Sequence, residues 1–294
     1  MRTRLIAAGL CFGIYSLGAE IDGPRPGYVV TKAGLRSVMG IVGAARLSDP
    51  LATDLASTVV LPGSDIAVGV DANGELSRVD IKDGSKRGWG ITGINTLTAS
   101  PSGESVLAIT GEHAYLFSRS GDRLGERTLP GIPLLSAMAD RGSAVAVTIA
   151  EGDGEALYLV NDQGARRVLH AAHFSAIAFL PGSSDLVVSD GDGAIYRIGI
   201  DLQLAELTRL PGTKALAGTP DGTRLLIVTE QAVATLRFAT QETTSISCAC
   251  TGAIARSLGA GMLVITNSEA GPLWVVDVSS EELRLAFIPE PVNE

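Results

Sequence analysis

The sequence predicts an all-β fold, a β-propeller of four-stranded antiparallel blades with six full units and an N-terminal hairpin. Three observations predict it: a constant repeat period, a turn of fixed chemistry in every repeat, and apolar runs of strand length around each turn. The repeats begin near Ser57, Asn95, Leu134, Ser175, Lys214 and Ala253, at spacings of 38, 39, 41, 39 and 39 residues. Four short strands every ~40 residues is the sequence form of a propeller blade. A β-sandwich keeps no such period over six units, and a helical solenoid needs apolar residues every 3.6 positions.

The elements of each repeat follow in order. The innermost strands read Ser57-Thr58-Val59-Val60, Asn95-Thr96-Leu97-Thr98, Leu134-Leu135-Ser136-Ala137, Ser175-Ala176-Ile177-Ala178, Lys214-Ala215-Leu216-Ala217 and Ala253-Ile254-Ala255-Arg256. A tight turn comes next, as in Pro62-Gly63-Ser64-Asp65, Pro101-Ser102-Gly103-Glu104, Asp140-Arg141-Gly142-Ser143 and Pro220-Asp221-Gly222-Thr223. Proline presets φ there and glycine permits positive φ. Second strands such as Val106–Thr110, Val145–Ile149 and Leu225–Thr229 are nearly continuous branched apolar runs, the pattern of strands buried on both faces. Third strands such as Ala114–Arg119 and Ala194–Ile200 follow a polar turn, and a fourth, as in 126–132, closes the unit.

Residues 57–290 hold the six units, and residues 20–56 form the N-terminal hairpin and link. Tyr28–Lys32 and Leu35–Ile41 resemble the third and fourth strands of a unit, because Ser37-Val38-Met39-Gly40-Ile41-Val42-Gly43 parallels Arg87-Gly88-Trp89-Gly90-Ile91-Thr92-Gly93. Seven blades, with Gly43–Ala56 contributing irregularly, is the alternative. Residues 1–19 read as a secretory signal peptide: Arg2 and Arg4 head an apolar run from Leu5 to Gly18 that is too short to span a bilayer. Export to the periplasm, the cell envelope or the medium is therefore expected.

Composition narrows the class further. The chain has 294 residues, 46% apolar and 19% charged, with 35 Gly and 13 Pro, which excludes a disordered chain. No run reaches the ~20 apolar residues of a helical membrane span. A net charge of −9 argues against nucleic-acid binding, which needs clustered Lys and Arg. The phrases Pro220-Asp221-Gly222-Thr223-Arg224-Leu225 and Pro101-Ser102-Gly103-Glu104-Ser105-Val106 resemble the broad group of secreted bacterial propellers that includes lactonase-like and TolB-type repeats. That resemblance encodes the blade rather than an activity.

Candidate sites follow from repeat phase. The turns between second and third strands carry Asp71-Ala72-Asn73-Gly74, Glu151-Gly152-Asp153-Gly154 and Asp190-Gly191-Asp192-Gly193, with Glu112, Glu230 and Glu269 in the same phase. Such turns and the inter-blade links share one face, which should be acidic and favour cationic partners. Asp190 and Asp192 have oxygen ligands suited to calcium, but Asp-Gly is also tight-turn chemistry, and turns are the reading taken. The inner strands hold no carboxylate; Asn95, Lys214 and Arg256 are their strongly polar residues. A metal-dependent hydrolase gathers its ligands there, so this counts against one. His170 and His173 have His-x-x-His spacing, with His173 read as a polar lining residue. Cys248 and Cys250 lie on a predicted outermost strand, where a disulfide between them would sit near the upper limit of the geometry. Trp89 falls on an outer strand, where blade packing is expected.

The reading is a monomeric, non-enzymatic binding module without cofactor. It would recognise a protein or small cationic ligand through Asp71, Asn95, Asp153, His173, Asp190, Asp192 and Lys214. An exported lactonase-like hydrolase and a structural component of an envelope assembly are the alternatives.

Overall fold

The computed structural model describes residues 24–41, 43–52, 55–248, 254–259, 261–265 and 273–289. The signal-peptide segment, Glu269 and Cys250 lie outside the described residues. Seven antiparallel sheets form, six of four strands and one of three, each from a contiguous stretch of chain. We number these blades 1 to 7 in chain order, their inner strands being Gly27–Thr31, Ala56–Val60, Thr96–Ala99, Leu135–Met138, Phe174–Phe179, Thr213–Gly218 and Arg256–Gly259. The six four-stranded units are those expected from the repeat.

The N-terminal hairpin has a different role from the expected one. Gly27–Thr31 packs between the inner strands of blades 2 and 7, so the hairpin supplies the first and second strands of a blade rather than the third and fourth. Its third strand is only Arg46–Leu47, extended by an isolated bridge between Leu35 and Ala52. The seven-bladed alternative is therefore the architecture. The misassignment rests on the parallel between residues 37–43 and 87–93, which gives no sign that Arg36 and Ser37 lie inside. In the fold both are buried: Arg36 Nη1 donates to the Ser48 carbonyl at 2.8 Å, and the Ser37 N–H donates to Ser48 Oγ at 2.9 Å. Gly27 is required where blade 1 meets blade 7, because a Cβ there would lie 2.3 Å from the Leu258 carbonyl oxygen.

The core is laminated between blades. One apolar layer joins Leu61, Val68, Phe117 and Val106 across blades 2 and 3, and others join Leu107 to Met138, Leu157 to Phe174, Ile195 to Leu225, and Val228 to Val276. A sixth layer, with Val29, Val38, Leu258 and Ile288, seals blade 7 against blade 1. Each fully buried Leu, Ile or Phe in such a layer contributes about 1.5–3 kcal/mol. Blades 1 and 2 are also tied by a polar bridge: Tyr28 Oη donates to Asp65 Oδ1 at 2.6 Å, and Lys82 Nζ lies 2.8 Å from Asp65 Oδ2. Burial, then the Asp65 bond, pushes the Tyr28 phenol up to about 12. Trp89 stacks on Phe117 of the next blade at 4.5 Å, which is blade packing as expected.

Cys248 is 6% exposed and disulfide-bonded, one residue past the outer strand Thr243–Ser247. Pairing with Cys250 predicts an intact mass about 2 Da lower before reduction than after it, with thiol alkylation of native protein leaving Cys248 unlabelled. A labelled Cys248 in unreduced protein would contradict this.

Candidate functional site: two ends of an axial channel

The inner strands of blades 2 to 7 line a channel of about 1140 Å³. Its two ends differ because the antiparallel order sends the turns between first and second strands to one face and those between second and third strands to the other. The Pro/Gly turns therefore ring one mouth, with Pro62, Pro101, Asp140, Pro181 and Pro220 lining it. The acidic turns emerge on the opposite face.

The mouth on the Pro/Gly side holds a cluster that the sequence reading did not select. Asp140 stands where four other turns have proline, and both its oxygens are engaged. Asp140 Oδ1 accepts the Ser102 N–H of blade 3 and Oδ2 accepts the Gly182 N–H of blade 5, each at 2.9 Å. Arg141 adopts φ of 60°, an uncommon conformation for a non-glycine residue. Its Nε donates to Glu104 Oε2 at 3.1 Å, pairing the two exposed charges. The only signal in the sequence is that this turn breaks the proline pattern.

On the acidic face most of the selected residues are engaged within the fold. Asp71 Oδ1 accepts the N–H groups of Asn73 at 2.8 Å and Glu75 at 3.0 Å. The Glu75 N–H, then the Asn73 N–H and Ser77 hydroxyl, hold the Asp71 carboxyl below its ordinary range. Asp190 repeats this design, Oδ1 accepting the N–H groups of Asp192 at 3.1 Å and Ala194 at 2.9 Å. Asn95 Oδ1 accepts the Gly111 N–H at 2.9 Å. His173 Nδ1 lies 2.7 Å from Glu155 Oε1, while Glu155 Oε2 accepts the Phe174 N–H at 3.0 Å. Lys214 Nζ pairs with Glu230 Oε1 at 2.8 Å, and that ammonium lowers the Glu230 carboxyl. Asp153 and Asp192 sit exposed at turn tips. The selected residues thus share a face without converging on one point, and Lys214 alone among them lines the channel. Among the described residues, no three or more His, Cys, Asp or Glu side chains gather as metal ligands would.

Inside the channel one register position of the inner strands carries a small or apolar residue in every lining blade except blade 7, where it is Arg256. Three residues before the first residue of each turn stand Val59, Thr98, Ala137, Ala178, Ala217 and Arg256, all of them lining the channel. Arg256 makes no hydrogen bond or ion pair among the described residues. Arg256 is exposed to solvent within the bore, and partial desolvation by the neighbouring protein lowers its pKa below the ordinary arginine value.

No family model and no curated protein matches the sequence. Solved structures of similar fold include PorZ, an essential bacterial surface component of the type-IX secretion system of Porphyromonas gingivalis, with a TM-score of 0.61 at 14% identity. The alignment covers 93% of this chain and 38% of PorZ, so this chain spans less than half the length of that protein. Hsv2 of Kluyveromyces lactis aligns with a TM-score of 0.57 at 11% identity, over 91% of this chain and 99% of that one. The propeller domain of Cps50 (Swd1) from Myceliophteria thermophila aligns with a TM-score of 0.59 at 13% identity, over 81% and 87% of the two chains. At these identities the likeness establishes the propeller fold alone.

Proposed function

We propose that this seven-bladed propeller is an exported, non-enzymatic binding module whose acidic face recognises a cationic partner. The observation that carries the reading is the gathering of Asp71, Glu112, Asp153, Asp192 and Glu230 on one face by the turns between second and third strands. Near them, the Lys214 ammonium is already paired with Glu230, and the His173 ring with Glu155. Like-signed charge on a rigid rim raises the local concentration of an oppositely charged partner and speeds its encounter. The inner-strand wall offers Ser, Thr, Lys and Arg but no carboxylate, which favours recognition over hydrolysis. Export rests on the Arg-headed apolar segment at the N-terminus. A bacterial surface location, as PorZ has, fits it.

The structure sharpens the test. A lysine-rich peptide immobilised on a sensor surface should capture the protein, with affinity falling as salt rises. Asp153→Asn with Asp192→Asn, at exposed tips, should weaken capture several-fold and leave thermal stability unchanged. Asp190→Ala should instead lower stability by about 1 kcal/mol, because two turn N–H groups lose their acceptor. Capture unaffected by the double variant, or insensitive to salt, would count against the acidic face.

A further inference from the structure

We propose that the axial channel is a second binding site, of opposite preference, which takes an organic anion: an oxyanion head on Arg256 and an apolar body along the small-residue wall. This goes beyond the acidic-face reading and uses different residues.

Two observations converge on it. The first is the packing around Arg256. Five blades place Val59, Thr98, Ala137, Ala178 or Ala217 at the equivalent position, and only blade 7 places a long cationic side chain there. The small neighbours leave the bore open around the guanidinium. Such a group presents several N–H donors in a planar fork that matches a carboxylate or phosphate. The second is that this charge has no partner among the described residues, although the chain as a whole carries −9. Every other channel-lining charge is engaged: Glu104 with Arg141, Lys214 with Glu230, and both oxygens of Asp140 with backbone N–H groups. The mouth on the Pro/Gly side therefore presents paired carboxylates to an approaching anion.

The apolar remainder of the lining, including Ile177, Leu216 and Ile254, defines the rest of the ligand. A bare inorganic anion would leave that wall in water, whereas an alkyl or aromatic body would cover it.

The test uses octanoate and octyl phosphate as probes, with acetate and octan-1-ol as controls, read by calorimetry and thermal shift on the full chain. The octyl anions should bind and raise the melting temperature, acetate should bind more weakly, and octanol should not compete with octanoate. Arg256→Met should weaken octanoate by about 10- to 100-fold, the range for lost charge-assisted bonds. Its ligand-free form should melt close to the wild-type temperature, since the exposed Arg256 side chain makes no bond on which the fold depends; a purely structural Arg256 would predict a lower one. Arg256→Lys should retain part of the affinity, and capture by the lysine-rich peptide should be the same in all three proteins. The proposal is overturned if neither octyl anion binds the wild type, if Arg256→Met binds octanoate as tightly, or if octanol binds as well as octanoate. Relative affinities of the two octyl anions then identify the preferred head, carboxylate or phosphate.

Discussion

Replacing Arg224 by methionine should destabilise the protein by about 3 kcal/mol, read as a fall of roughly 6–12 °C in the melting temperature. Arg224 is 8% exposed and reaches from the second strand of blade 6 into blade 7. Its guanidinium donates to the Ser280 carbonyl at 2.9 Å and also to the Val278 carbonyl. Methionine fills similar volume but leaves both carbonyls without their donor, and an unsatisfied buried acceptor costs about 1–3 kcal/mol. Lysine keeps the charge but lacks the planar fork that reaches two carbonyls, so Arg224→Lys should recover only part of the loss. A methionine variant as stable as the wild type would mean that the two blades are held by their apolar layer alone.

Asp140→Ala should cost about 2 kcal/mol in denaturant unfolding, and Asp140→Asn about half as much. The carboxylate accepts one N–H from blade 3 and one from blade 5 while belonging to blade 4. Asparagine retains one acceptor oxygen and turns an NH₂ toward the other N–H, so the graded pair separates the two bonds. Equal stability of both variants would remove Asp140 from the clasp. The Arg141–Glu104 pair is exposed, and its loss should change little.

These residues mark where sequence reading stops. The blades were legible because turn chemistry and strand-length apolar runs recur in phase, and phase alone located the acidic turns on one face. The N-terminal blade was harder. Buried Arg36 and Ser37 look like outer-strand residues until Ser48 satisfies them, and that contact is set by the tertiary fold. Asp71 and Asp190 were legible as turn acids, but their bonds to their own turns were not separable from ligand contacts. Arg256 stood out as a polar inner-strand residue, yet its significance depends on what faces it from the other blades. Alanines at 137, 178 and 217 mean little singly and define a cavity only when the ring closes.

The sealing of blade 7 against blade 1 has a mechanical consequence. Every other junction in the ring is crossed by the polypeptide itself, and among the described residues no hydrogen-bonded ladder spans two blades. The ring is in effect a split washer, whose single cut is held shut by the layer around Val29, Val38, Leu258 and Ile288 and by the backbone contact at Gly27. Widening the bore anywhere else strains a peptide link, whereas spreading the cut strains none. Arg256 belongs to the inner strand that forms one lip of that cut, so the radius of the channel is softest beside the one lining charge without a partner among the described residues.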